Sequence, residues 1–285
     1  MAGLHSEAAR QSAKIEGQQH LEALKREGLL GIRRPVRVLA APRSEGAELP
    51  PGAKLVHFVR HGQGYHNLLA DVYREFGRSV DATGRSNPGL GPYTRPEVMD
   101  PPLTALGRQQ AQALRPRTRE LSGLGLVVVS PLCRATQTAL LAFPHLLDAS
   151  SGGRFVGHAG VAEHSGKNIC DKRRPLSEIK ADFPAVDWSA ITEEEDPGWS
   201  ETVRESGRSV SDRGHAFLLW LRQRPEAEVA VVTHSAWLFH LLNAAAECSE
   251  PALAEWFLTG ELRSAVLTFV DGGDQEPAAK RARAA

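Results

Sequence analysis

Three short runs of buried-type residues, each stopping abruptly on a polar cluster, restrict this chain to an α/β fold more tightly than any other feature. The first, Leu55-Val-His-Phe-Val59, ends in Arg60-His61-Gly62-Gln-Gly64. The second, Leu126-Val-Val-Val129, ends in Ser130-Pro-Leu-Cys-Arg134-Ala-Thr-Gln-Thr138, and the third, Val229-Ala-Val-Val232, ends in Thr233-His234-Ser235. β-branched and aromatic runs of this length suit central strands. Helical spacing follows the first, at Leu68, Leu69, Val72, Tyr73 and Phe76, and an apolar helix over Ala236 to Ala246 follows the third. Ligands of open α/β sheets bind beyond the carboxyl ends of the strands, so Arg60, His61, Arg134 and His234 fall where a site is expected. Gly62 and Gly64 permit a tight bend with close backbone approach. A guanidinium supplies planar, permanently charged donors for phosphate oxygens, and an imidazole is a nucleophile toward phosphorus.

Composition narrows the partners. Lysine plus arginine equals aspartate plus glutamate at 34 each among 285 residues, so no bulk field draws the chain to nucleic acid or to a membrane surface. Cys133, Cys170 and Cys248 are odd in number, far apart and without metal-ligand spacing, which argues against a disulfide framework and a structural zinc site and fits a reducing, cytoplasmic setting. No apolar run approaches the ~20 residues of a membrane span, and no signal-peptide core follows the start.

Ser6 to Gly28 predicts a mostly exposed helix, an appendage whose Glu7, Glu16, Glu22 and Glu27 count against an acidic-poor transit peptide. Leu29 to Gly52 carries prolines at 35, 42, 50 and 51 and reads as linker, so the expected division is residues 1–53 as helix and linker, 54–270 as catalytic domain and 271–285 as a disordered basic tail. Gly77 to Pro102 predicts a long loop. Thr104 caps the next helix, which Pro116 bends, and the segment Phe155 to His164 contains a short strand leading to Glu163. Ser130 and Pro131 suit the cap and first turn of the helix carrying Arg134. Trp199 to Arg222 predicts one long helix, and Leu262 to Val270 a last strand at a sheet edge. Pro277 to Arg283 reads either as a short basic nuclear-import signal or as a solvated end.

Arg60-His61-Gly62 followed by Asn67, the Asp100 to Gly107 segment and the Ser-Pro-x-x-Arg-Ala-x-x-Thr string of 130–138 together resemble the histidine phosphatase superfamily, its phosphoglycerate mutase-like group. The Cys-Asp-Lys-Arg-Arg and Phe-Pro-Ala-Val-Asp strings between Glu163 and Ala190 resemble a branch of that group found in plants, algae and fungi. The resemblance spans Lys54 to Val270 and implies a three-layer sandwich, a mainly parallel central sheet with helices on both faces. It also implies roles: His61 as nucleophile, Arg60, Asn67, Arg134 and His234 as phosphate ligands, and Glu163 as the acid that protonates the leaving oxygen and then activates water. His164, beside Glu163, is an alternative for that proton, and His240 reads as a core histidine satisfied by backbone.

Lys172, Arg173 and Arg174 either recognise a second anionic group on the substrate or form a solvated basic loop. The implied reaction is hydrolysis of a small phosphorylated metabolite through a phosphohistidine, with no metal or other cofactor. Two alternatives stay open: a mutase-type phosphotransferase, and a catalytically idle phosphate-binding scaffold. The His234-Ser-Ala-Trp string and the His66-Asn67 pair depart from the His-Gly-Asn and Trp-Asn patterns of glycolytic mutases. Histidines without tight ligand spacing or an acidic cluster argue against a metallohydrolase.

Overall fold

The computed structural model describes residues 4–44, 46–84, 91–147 and 154–272. Its strands are β1 (Val36–Ala41), β2 (Lys54–Arg60), β3 (Leu124–Val129), β4 (Arg154–Gly157), β5 (Glu228–Thr233), β6 (Glu247–Cys248) and β7 (Leu262–Asp271). They form one seven-stranded sheet in the order β4-β3-β5-β2-β7-β1-β6. All pairings are parallel except those of β7, which runs antiparallel to both β2 and β1. Every residue of β2 is buried, as expected of a strand covered on both faces.

Helices α1 (Glu7–Arg26), α2 (Tyr65–Glu75), α3 (Ala105–Gln112), α4 (Arg115–Arg119), α5 (Cys133–Ala142), α6 (Leu176–Asp182), α7 (Gly207–Arg222) and α8 (Ser235–His240) surround the sheet. Alternation along the strands splits the interior into two cores. Val56, Phe58, Val128 and Val231 pack against Val210, Phe217 and Leu221 of α7 and against Trp237, while Val59, Val127, Val129 and Val232 face Ala139 of α5 and Ile179 of α6. Helices therefore lie on both sides, and the three-layer α/β sandwich stands. Among the described residues no helix is long and apolar enough to cross a membrane.

Register positions the site. Val129 and Val59 both lie opposite Val232 across adjacent strands, so β2, β3 and β5 end level with one another. The residues that follow must emerge side by side.

Several expectations are corrected. Val36–Ala41, read as linker because prolines flank it, is a strand paired with β7 at six positions, with Val38 and Ala40 buried. α1 is no appendage: Ala23 and Leu24 are buried, Leu24 packing beside Leu29, Phe239 and Ala244, and its other buried residues include the polar Glu16 and His20. An apolar-stripe test misses a helix whose buried face is partly polar. β7 is interior rather than at an edge, because its polar residues find partners inside: Ser264 Oγ lies 2.8 Å from His57 Nδ1, and Arg263 donates to the carbonyls of Ala252, Leu253, Glu255 and Trp256. The long helix expected from Trp199 begins only at Gly207, where the Ser206 hydroxyl accepts from Ser209 N. The chain before it is irregular and delivers Arg204 to Gly166 O and Asp171. The helix after Thr104 is two short helices, α3 and α4, with Pro116 in the first turn of the second. Of α2's expected apolar face, Leu68 and Phe76 are exposed. Residues 85–90 of the expected loop and the basic tail from 273 onward lie outside the described residues.

Candidate active site

The turn after β2 is held so tightly that two glycines are required. A Cβ on Gly62 would sit 2.3 Å from Gly107 O, and one on Gly107 would sit 2.1 Å from Gln63 O, so the start of α3 presses directly on the turn. Gly62 N donates to Thr138 Oγ1 of α5 at 3.0 Å, and Gly64 N donates to Asn67 Oδ1 at 3.0 Å. These contacts fix His61. Its Nδ1 lies 2.6 Å from the Gly62 carbonyl, which places the proton on Nδ1 and leaves the lone pair on Nε2. Burial, then the positive charges of Arg134 and Arg60, hold His61 well below the ordinary imidazole pKa of 6.5. The neutral form of the ring is therefore favoured.

Arg134 is fully buried as the second residue of α5, whose start is set by Asp100: Oδ1 of that aspartate accepts from Cys133 N at 2.8 Å. The helix therefore begins at Cys133, not at Pro131, and the Ser130 hydroxyl accepts from Leu132 N at 3.4 Å instead of capping the helix. It lies 2.7 Å from Nε2 of His234. Arg134 Nε donates to His61 Nε2 at 3.3 Å, while its terminal nitrogens donate to Cys170 O at 2.8 Å and Asp171 Oδ1 at 2.9 Å. The His234 ring lies 5.0 Å from that of His61, and its Nδ1 is buried without a partner. Arg60 donates to Phe257 O at 2.6 Å and lies over the Trp256 ring.

Glu163 follows β4 through a short turn and receives three backbone N–H groups. His164 and Trp237 donate to Oε1, each at 2.9 Å, and Ala236 to Oε2 at 3.3 Å. Such bonds favour the carboxylate, yet burial and the charge of Asp171 outweigh them and raise its pKa.

A small cavity of about 40 Å3, room for roughly three waters, opens on Arg60, His61, His66, Asn67 and Glu163. A larger cavity of about 520 Å3, lined by Leu132, Ala162, Ile191 and Val203 among others, adjoins it. Glu163 and Asp171 line both. Arg134 and His234 flank His61 rather than line the small cavity.

The structure thus brings Arg60, His61, Asn67, Arg134, Glu163 and His234 together. It does not bring Lys172, Arg173 and Arg174 to the small cavity. Arg173 borders the larger one, but its guanidinium already serves the carbonyls of Arg174, Glu193, Glu194 and Glu195. Arg174 pairs with Asp100 and Asp182, and Lys172 sits over the Trp199 ring. His164 turns away from Glu163, with Nε2 at 2.6 Å from Glu205 O, and His240 Nδ1 lies 2.8 Å from Ala236 O. Sequence reasoning did not single out Asp171, Arg204, Tyr93, Glu16 or His20, all of which line the small cavity. Asp171 lay inside the Cys-Asp-Lys-Arg-Arg string, the one local signal available; the others come from distant segments.

An imidazole at a strand end, an arginine on its Nε2 and a buried carboxyl beyond them thus stand together past the carboxyl ends of β2, β3 and β5. The chain belongs to the histidine phosphatase superfamily (branch 1), whose family model matches residues 95–281. That membership supports activity of the phosphatase type. Among its relatives, phosphoglycerate mutase-like protein 1 of Arabidopsis thaliana is 35% identical over 245 residues, 75% of this chain and 81% of that protein. A Schizosaccharomyces pombe protein named as a probable phosphatase is 26% identical over 184 residues, 64% of this chain and 74% of the other. A solved structure of ecdysone phosphate phosphatase from Bombix mori with tungstate is 21% identical, with a TM-score of 0.43, over 67% of this chain and 76% of that one.

Proposed function

We propose that the protein is a phosphomonoester hydrolase that works through a phosphohistidine on His61 and acts on a small phosphorylated metabolite. The observation that carries this reading is the position of Glu163 on the border of two cavities, one of phosphate size beside a neutral His61 and one large enough for an organic leaving group. The ester oxygen of a bound substrate would lie at that border, where a proton donor is needed.

In this reaction the Arg134 Nε–H gives up its hydrogen bond to His61 Nε2 for a phosphate oxygen, and the freed lone pair attacks phosphorus in line with the ester oxygen. The P–O bond breaks, and the departing oxygen takes the proton of the Glu163 carboxylic acid, whose raised pKa keeps that proton available. Arg60, Arg134, Asn67 and His234 supply N–H donors to the equatorial oxygens, whose charge grows in the transition state. The Glu163 carboxylate then removes a proton from water as the water attacks the phosphohistidine. Phosphate leaves, and both residues regain their starting states. The name of the fission-yeast relative supports hydrolysis.

The test is phosphate release from a panel of sugar phosphates, phosphoglycerates, nucleotides and phosphopeptides, beside an assay of 2- and 3-phosphoglycerate interconversion. Turnover with acid-labile phosphate on the protein, both lost in His61→Ala, is expected. Interconversion without net phosphate release would make it a mutase, and labelling retained in His61→Ala would remove that residue as nucleophile.

A further inference from the structure

Three histidines outside the phosphate chemistry meet in the interior: His20 from α1, His164 from the turn after Glu163, and His240 at the end of α8. They are 1%, 3% and 2% exposed. Their ring centroids lie 6.2, 5.6 and 5.5 Å apart pairwise. One ring nitrogen from each comes within 4.8 Å of the other two. Each ring meets another edge-on, so the cluster is not a stack of planes held by dispersion.

Two of the rings are set as metal ligands usually are. His164 Nε2 lies 2.6 Å from Glu205 O and His240 Nδ1 lies 2.8 Å from Ala236 O, so in each the N–H is committed to a backbone carbonyl and the other nitrogen carries the lone pair. Nδ1 of His164 and Nε2 of His20 are buried with no hydrogen-bond partner. A buried polar atom left unpaired is costly unless something fills the place. Two such atoms, in neighbouring rings from separate segments, point to a missing shared partner. The nearby cations are neutralised, Arg204 by Asp171 and Arg213 by Glu205.

We propose that His20, His164 and His240 form a three-imidazole site for a divalent transition-metal ion of the zinc class, its fourth position open to water. Three neutral nitrogens and one exchangeable position suit such an ion, whose bonds to imidazole run about 2.0–2.1 Å. The nitrogens need to draw together by about 1 Å for those bonds. His20 also lines the small cavity, which gives the ion a way in. The bound ion ties α1 to the turn carrying Glu163 and to α8, two segments already joined by the hydrogen bonds of Ala236 N and Trp237 N to the Glu163 carboxylate. The site departs from the expectation that this chain binds no metal, and linear spacing gave no sign of it.

The test uses the full chain, stripped with chelator and titrated with Co2+ and Zn2+. One equivalent of Co2+ should bind with visible ligand-field absorption, and Zn2+ should displace it. His20→Ala and His240→Ala should each weaken binding by at least about ten-fold. In case a variant does not fold, X-ray absorption at the zinc edge of the wild-type protein reads the ligands directly. Three imidazole nitrogens support the proposal. Sub-stoichiometric binding, binding unchanged in well-folded variants, or a shell containing sulfur or fewer than three imidazoles overturns it. None of these readouts depends on phosphatase activity.

Discussion

Asp171 Oδ1 accepts a hydrogen bond from Arg134 at 2.9 Å, while Oδ2 of the same carboxylate accepts one from Arg204 at 3.2 Å, so one buried aspartate holds two arginines near His61. It also faces Glu163, whose pKa is raised first by burial and then by the Asp171 charge. Asp171→Asn should act on both. Losing the charge that offsets Arg134 should destabilise the fold by roughly 3 kcal/mol, read from urea denaturation. The lower Glu163 pKa should move the alkaline limb of kcat/KM to lower pH. A destabilised variant with an unmoved limb would mean that Asp171 acts on Arg134 alone.

The pH profile of the wild-type enzyme should be bell-shaped in kcat/KM. His61 must be unprotonated and its pKa lies well below 6.5, so activity should persist as pH falls through 6.5 and fail only further down. Glu163 must be protonated and its pKa lies above 4.5, so activity should decline as pH rises through that raised value. Glu163→Gln should lose the alkaline limb along with most of the rate, a loss of about 10²–10⁴-fold.

Acid should weaken the fold well before the carboxylates titrate. His20, His61, His66, His164 and His234 are held well below 6.5, chiefly by burial, and His240 is lowered to about 4. Each binds a proton more readily when unfolded, so the stability it contributes is complete above 6.5 and is lost as pH falls from there toward the folded value. Urea midpoints at pH 7, 6 and 5 should fall steadily. A flat series would mean that these rings stay accessible to protons in the native state.

Leu24→Ala should cost about 2–5 kcal/mol, because its side chain is fully enclosed where α1 meets Phe239 and Ala244. A solvated appendage would lose almost nothing. Denaturant unfolding distinguishes the two outcomes, and a parallel rise in KM would tie α1 to substrate binding through Glu16 and His20.

What could be read along the chain was whatever the chain states locally. A β-branched run followed by Arg-His-Gly, or by Ser-Pro and an arginine four residues on, carries its strand and its polar end in one window. The convergence of His61, Arg134 and His234 followed from those windows, because parallel strands of equal register must end together. Asp171, Tyr93 and Arg204 reach the site through irregular segments whose direction is set by tertiary contacts. α1 hid its role for a different reason: two of its inward residues, Glu16 and His20, are types that ordinarily face water. β1, although as long as β3 and β5, was hidden by the prolines that bracket it.

The position of β7 bears on how the protein is made. Both strands that flank β2, the strand leading into His61, namely β5 and β7, come from the last third of the chain. While the ribosome is still elongating, β2 therefore has a bare backbone on each side, with its apolar residues uncovered. The central ladder closes only after residue 271 has emerged, so the surroundings of His61 are completed near the end of synthesis.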